Sequence, residues 1–165
     1  MLRFIALCLF LVSVRGESTE VLQCLDHEGD LPINTYIRGC ITPPCVLPQL
    51  QDAVIDITFR APRVITRMRS LVQASINIGI PISLNYDLGA SAVTCNFLTN
   101  TYCPVMRDEV VQYTLNMYIE RFFPLDAQVV LEFRIVDEFN VPILCSRMSI
   151  RVGPPVSAMT NGTVV

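Results

Sequence analysis

Seven cysteines and one histidine are the residues here whose types most readily carry chemistry. Nucleophilic catalysis by a thiol or hydroxyl needs a base within reach, and that base in turn needs an orienting group. The sole histidine, His27, lies in the polar run 26–30 and reads as a solvated loop residue. Zinc needs four ligands. Cys40 and Cys45 are separated by four residues, but no second cysteine pair or histidine-rich stretch completes such a site. Adjacent carboxylates occur at Asp108-Glu109 and Asp137-Glu138, both at strand ends, where they read as solvated turns. There is no phosphate-binding loop and no glycine-rich dinucleotide fingerprint. The chain therefore reads as a binding protein without metal or cofactor rather than an enzyme.

The cysteines make better sense as scaffold. Met1-Leu2-Arg3 leads into an apolar run, 4–12, that ends near Ser13-Val14-Arg15-Gly16. A basic start, a short apolar stretch and small residues at a cut site mark a secretory signal peptide, expected to be removed after Gly16. Cys8 leaves with it. The mature chain keeps Cys24, Cys40, Cys45, Cys95, Cys103 and Cys145. An even number in a secreted chain implies disulfides, with 15 possible connectivities for six cysteines. Local pairing of Cys40 with Cys45 and of Cys95 with Cys103 is natural, and leaves Cys24 for Cys145. Ten arginines then stand against fifteen carboxylates, a net charge of −5, with no lysine anywhere. Such a protein is a poor partner for nucleic acid, whose binding is dominated by phosphate neutralisation.

The elements that position these residues show a period of two. Ala53, Ile55, Ile57 and Phe59 share one face of 53–60. The same alternation runs through 72–80, 111–119, 131–135 and 146–152, with shorter strands at 21–25 and 34–39. No segment carries an apolar stripe of helical period. Prolines and glycines punctuate the strands, at Pro43-Pro44, Pro62, Pro81, Gly89, Pro104, Pro124 and Pro142. About seven short strands, each with one apolar face, predict two antiparallel sheets packed face to face. One domain, 17–152, should be followed by a flexible tail, 153–165, carrying a glycosylation sequon at Asn161.

In order along 20–152, the chain shows Gly39-Cys40-Ile41-Thr42-Pro43-Pro44-Cys45, Gly79-Ile80-Pro81-Ile82, Cys103-Pro104-Val105, Phe123-Pro124, 130–134 and Ile143-Leu144-Cys145. Taken together these resemble the Niemann–Pick type C2 proteins of the ML (MD-2-related lipid-recognition) domain family, most nearly their arthropod members. The resemblance implies an immunoglobulin-like β-sandwich with an apolar cavity between its sheets, and the 24–145, 40–45 and 95–103 pairing. It implies a sterol or other apolar lipid as ligand. Carried over position by position, the pocket mouth falls at Ile37, Leu84, Ile119 and Phe123. The deeper lining falls at Phe59, Val72, Ile76, Tyr113, Leu115, Phe133, Ile135, Met148 and Ile150.

Departures from the pattern bear on the ligand. Ser83 replaces a proline, Leu84 stands where sterol carriers have phenylalanine, and seven residues separate Cys95 from Cys103. Arg60, Arg63, Arg67 and Arg69 crowd one stretch, which strand direction places away from the mouth. The expected protein is a monomeric soluble carrier, secreted or in the lysosomal lumen, that hands its lipid to a membrane or receptor. The alternative is a secreted recognition protein that presents microbial or acyl lipids to a receptor.

Overall fold

The computed structural model describes residues 16–77 and 80–156. The expected leader up to residue 15, Ile78 and the sequon at Asn161 lie outside the described residues. Nine strands follow in order: β1 Leu22–Gln23, β2 Asn34–Ile37, β3 Cys45–Pro48, β4 Asp52–Arg60, β5 Met68–Asn77, β6 Pro81–Tyr86, β7 Val110–Tyr118, β8 Gln128–Asp137 and β9 Pro142–Gly153. Two short 3-10 turns, Gly89–Ala92 and Thr94–Phe97, are the helical elements among the described residues.

The strands form two sheets. One runs β1-β9-β8-β5-β6, with β3 pairing to β9; the other runs β2-β4-β7. All pairings are antiparallel except β3 with β9. The alternation seen in the sequence is the packing rule. Ile55, Ile57 and Phe59 on β4, Val111, Tyr113, Leu115 and Met117 on β7, and Leu131, Phe133 and Ile135 on β8 all point inward and are buried. Their neighbours Asp56, Thr58, Gln112 and Glu132 point outward. Burying such a row removes apolar area from water at about 25 cal/mol per Å².

β3 and β6 lie outside the expected strands, and the bounds of β5, β8 and β9 differ from the predicted 72–80, 131–135 and 146–152. The predicted 72–80 strand ends at Asn77, and Pro81 opens β6 rather than breaking a strand. Proline lacks an N–H, yet it suits the first position of an edge strand. β3 is four residues long and ends in proline, too short to show a period. Gly153, expected in the tail, is instead the last residue of β9.

All three disulfides form as expected: Cys24–Cys145, Cys40–Cys45 and Cys95–Cys103. The first ties the strap 24–30 to β9. Gly29 is required in that strap. Its φ is +134°, and a Cβ would lie 2.6 Å from the carbonyl carbon of Leu144.

Candidate functional site

The interior has two dissimilar ends. Where β4 leaves toward β5, buried polar groups hold the sheets together. The Ser70 hydroxyl donates to the Tyr113 hydroxyl at 2.9 Å and lies 2.8 Å from the Thr94 hydroxyl. The Tyr113 ring stacks on Phe133, with centroids 6.3 Å apart. Burial pushes the Tyr113 phenol up to about 12, although the bond from Ser70 pulls the other way. Arg63 forks onto Asp137 at 2.9 and 2.5 Å. The Asp137 carboxylate also accepts the N–H groups of Phe139 and Val141. Burial alone would raise this carboxyl, but those bonds hold it below its usual range.

At the opposite end lies an apolar cleft lined by Tyr86 of β6, Met117 of β7, Ile119, Phe123, Val129 and Leu131 of β8, and Ile150 and Val152 of β9. Every lining side chain except Tyr86 is hydrocarbon or thioether. β6 and β7 are the outer strands of their own sheets and share no ladder. Tyr86 bridges them: its hydroxyl donates to the Tyr118 carbonyl. Phe123 is held from behind by Gln49, whose side-chain amide donates to the carbonyls of Arg121 and Phe123. Its ring lies 5.9 Å from Tyr86 and 4.4 Å from Phe122. With the sheets in this position the cleft encloses only about 10 Å³. That is room for about one water, against roughly 300–1,000 Å³ for a small-molecule site. The cavity expected between the sheets is therefore nearly closed.

The structure separates the four expected mouth residues. Ile119 and Phe123 line the cleft. Leu84 shares the inner face of β6 with Tyr86 but is 51% exposed, because the three-stranded sheet does not cover it. Ile37 is buried on β2, paired with Ile55, on the edge of that sheet remote from β7. Of the deeper set, Ile150 lines the cleft. Phe59, Val72, Tyr113, Leu115, Phe133, Ile135 and Met148 are buried core, and Ile76 is half-buried. The cleft is also lined by Tyr86, Met117, Val129, Leu131 and Val152, which the resemblance did not name. Four of these continue the inward alternation of strands already read. Tyr86 shares a face with Leu84 and Ile82 on the strand that was missed.

The other chemistry-bearing groups have structural roles. His27 is not simply solvated: its Nδ1 lies 2.8 Å from Glu132 Oε1. Glu132 also meets Cys24 and Cys145, whose sulfurs are joined to each other. The acidic turns are not simply solvated either. Asp137 is buried on Arg63, Glu138 receives the Thr66 hydroxyl at 2.9 Å, and Glu109 receives the Met106 N–H at 2.7 Å. Arg60 donates to the Asp108 carbonyl. These contacts pin turns at the end remote from the cleft.

The site is thus a nearly closed apolar cleft at one edge of a two-sheet, disulfide-tied sandwich. The ML domain family model matches residues 18–152. The chain belongs to that family of lipid-recognition domains. Among solved structures it is similar to a Niemann–Pick type C2 protein from the Japanese carpenter ant, with a TM-score of 0.65 at 12% identity over 81% of this chain and 98% of that one. It is more distantly similar to chicken MD-1 complexed with lipid IVa, with a TM-score of 0.40 at 13% identity over 61% and 70% of the two chains. No curated protein matches by sequence.

Proposed function

We propose that this protein is a soluble carrier that holds one apolar lipid, a sterol or a chain of similar bulk, between its sheets at the β6–β7 edge. It does so by burial, without covalent chemistry. The observation that carries this reading is the cleft itself: eight residues from both sheets, apolar but for Tyr86, closed at its lip by a side chain rather than a ladder. A sterol entering it would lose roughly 400 Å² of apolar surface, worth on the order of 10 kcal/mol before ordering costs. Part of that offsets the work of spreading the sheets. Family membership supports the same reading, and so does the structural likeness to the ant protein.

The three disulfides suit an oxidising compartment, and no described helix is long and apolar enough to cross a membrane. Processing after Gly16, a domain of 17–152, a glycan on Asn161, a monomeric state and a secreted or lysosomal site belong to the same proposal. Mass spectrometry of organic extracts, paired with competition between a fluorescent sterol and a fatty acid, tests it. A stoichiometric lipid that competes with either probe supports the carrier. An empty extract and no binding of either class overturn it.

A second reading, a module that presents its lipid to a receptor or membrane, draws on one observation. Leu84, on the same face of β6 as Tyr86, and Phe122, whose ring meets Phe123, are 51% and 66% exposed. In that case Phe122→Ser slows lipid transfer and leaves affinity unchanged.

A further inference from the structure

Tyr86 contributes the one phenol in an otherwise apolar lining. Its hydroxyl spans from β6 to the Tyr118 carbonyl on β7, the outer strands of the two sheets. A lipid passing between these strands displaces that bond. The phenol is then free to face the lipid's outermost atoms.

Three carboxylates flank this position. Asp87 follows Tyr86 in the chain, Asp52 is paired with Tyr118 across the β4–β7 ladder, and Glu120 lies two residues beyond Tyr118. Burial pushes the Tyr86 phenol above its usual range, and Glu120, Asp87, Tyr118 and Asp52 push it further the same way. No cation is among the groups that act on it. Arg121, in the same loop as Glu120, is exposed.

A carboxylate or phosphate brought to this lip would meet like charge beside an apolar wall, where screening is weaker than in open water. A hydroxyl, ketone or ester would meet a phenol that can donate or accept, at no Coulomb cost. We propose that Tyr86 is the polar anchor of the lipid site, and that Asp52, Asp87 and Glu120 restrict the ligand to lipids whose polar end is uncharged. This inference rests on the carrier reading and narrows it to a ligand class.

The test uses two ligands with the same chain, radiolabelled oleyl alcohol and oleate, at pH about 8 where oleate is ionised, with cholesterol as a neutral reference. Oleyl alcohol should bind the parent about ten-fold more tightly than oleate, the size of one weakly screened like-charge contact. Asp52→Asn/Asp87→Asn/Glu120→Gln should bring the two within about three-fold of each other. Glu120→Gln alone should move the ratio the same way, and guards against a fold defect in the triple variant. Tyr86→Phe should weaken oleyl alcohol by about two- to ten-fold, one neutral hydrogen bond, and leave oleate nearly unchanged. Equal binding of the two ligands by the parent, or a preference for oleate, overturns the inference and leaves the carrier standing. A ratio unmoved by both acidic variants, or alcohol affinity unmoved by Tyr86→Phe, also overturns it. Failure of all three ligands to bind overturns the inference and the carrier reading together.

Discussion

The two ends of the sandwich are built from the same alternating strands and closed by opposite means. At the β4–β5 end the interior ties are polar and multiple: Ser70, Thr94 and Tyr113 inside, with Arg63 on Asp137 at the turn. At the β6–β7 end the lining is apolar, and the hydroxyl of Tyr86 reaches from one sheet to the other. Hydrogen bonds are directional, and breaking a buried one leaves a group unpaired at about 1–3 kcal/mol. Apolar contacts are not directional. A hydrocarbon ligand can replace them contact for contact. The first end holds the sheets in place, and the second can part at the loss of one side-chain hydrogen bond, that of Tyr86 to the Tyr118 carbonyl.

Breaking the fixed end should cost most. Cys24→Ser/Cys145→Ser removes a bridge spanning 121 residues, and should lose about 2–5 kcal/mol in urea unfolding. A variant that melts like the parent would refute the strap's scaffold role.

Asp137→Asn should cost about 1–3 kcal/mol at neutral pH by removing the charge that Arg63 grips. The native carboxyl lies below its unfolded value, so the parent's advantage is present above the ordinary carboxylate range. It is lost as pH falls through the native pKa. Parent and variant should therefore converge in acid, as urea melts across pH would show.

Tyr113 gives the mirror-image dependence. Its native pKa is about 12, above the unfolded value of about 10. The stability this confers is complete below about pH 10 and is lost as pH rises toward 12. Tyr113→Phe should unfold less steeply with alkali in that window, at the expense of about 1–2 kcal/mol near neutrality from the lost Ser70 bond.

The smallest effect falls at the other end. Gln49→Ala frees the carbonyls of Arg121 and Phe123 and should cost about 1 kcal/mol. Its larger mark should be faster lipid exchange, since Phe123 loses its backing. Unchanged exchange would mean that Phe123 does not close the cleft.

How much of this was legible in the sequence follows the same division. The inward rows of β4, β7, β8 and β9 could be read because period two leaves one face apolar. The disulfides could be read because two pairs are local. β3 could not, because it is parallel to β9 and only four residues long. Tyr86 was missed because it lies on β6, whose opening Pro81 reads as a break. Ile37 and Leu84 were placed at the mouth by resemblance, and the strand order puts Ile37 at the far edge and Leu84 outside the cover of β7. His27 and Asp137 read as solvated because their partners, Glu132 and Arg63, are 105 and 74 residues away. Pairing over such distances leaves no local signal.

The most direct test of the two-ended account is native-state hydrogen exchange with and without cholesterol. The Ile119 N–H bonds to Gln51 at the cleft, and the Ile65 and Val105 N–H groups bond to each other's carbonyls at the fixed end. The Ile119 amide should exchange through a local opening in the free protein and slow on lipid binding. The Ile65 and Val105 amides should exchange only on deeper unfolding, with no comparable change in local opening. Uniform slowing along the molecule, or protection that appears at Ile65 and Val105 but not at Ile119, would contradict it.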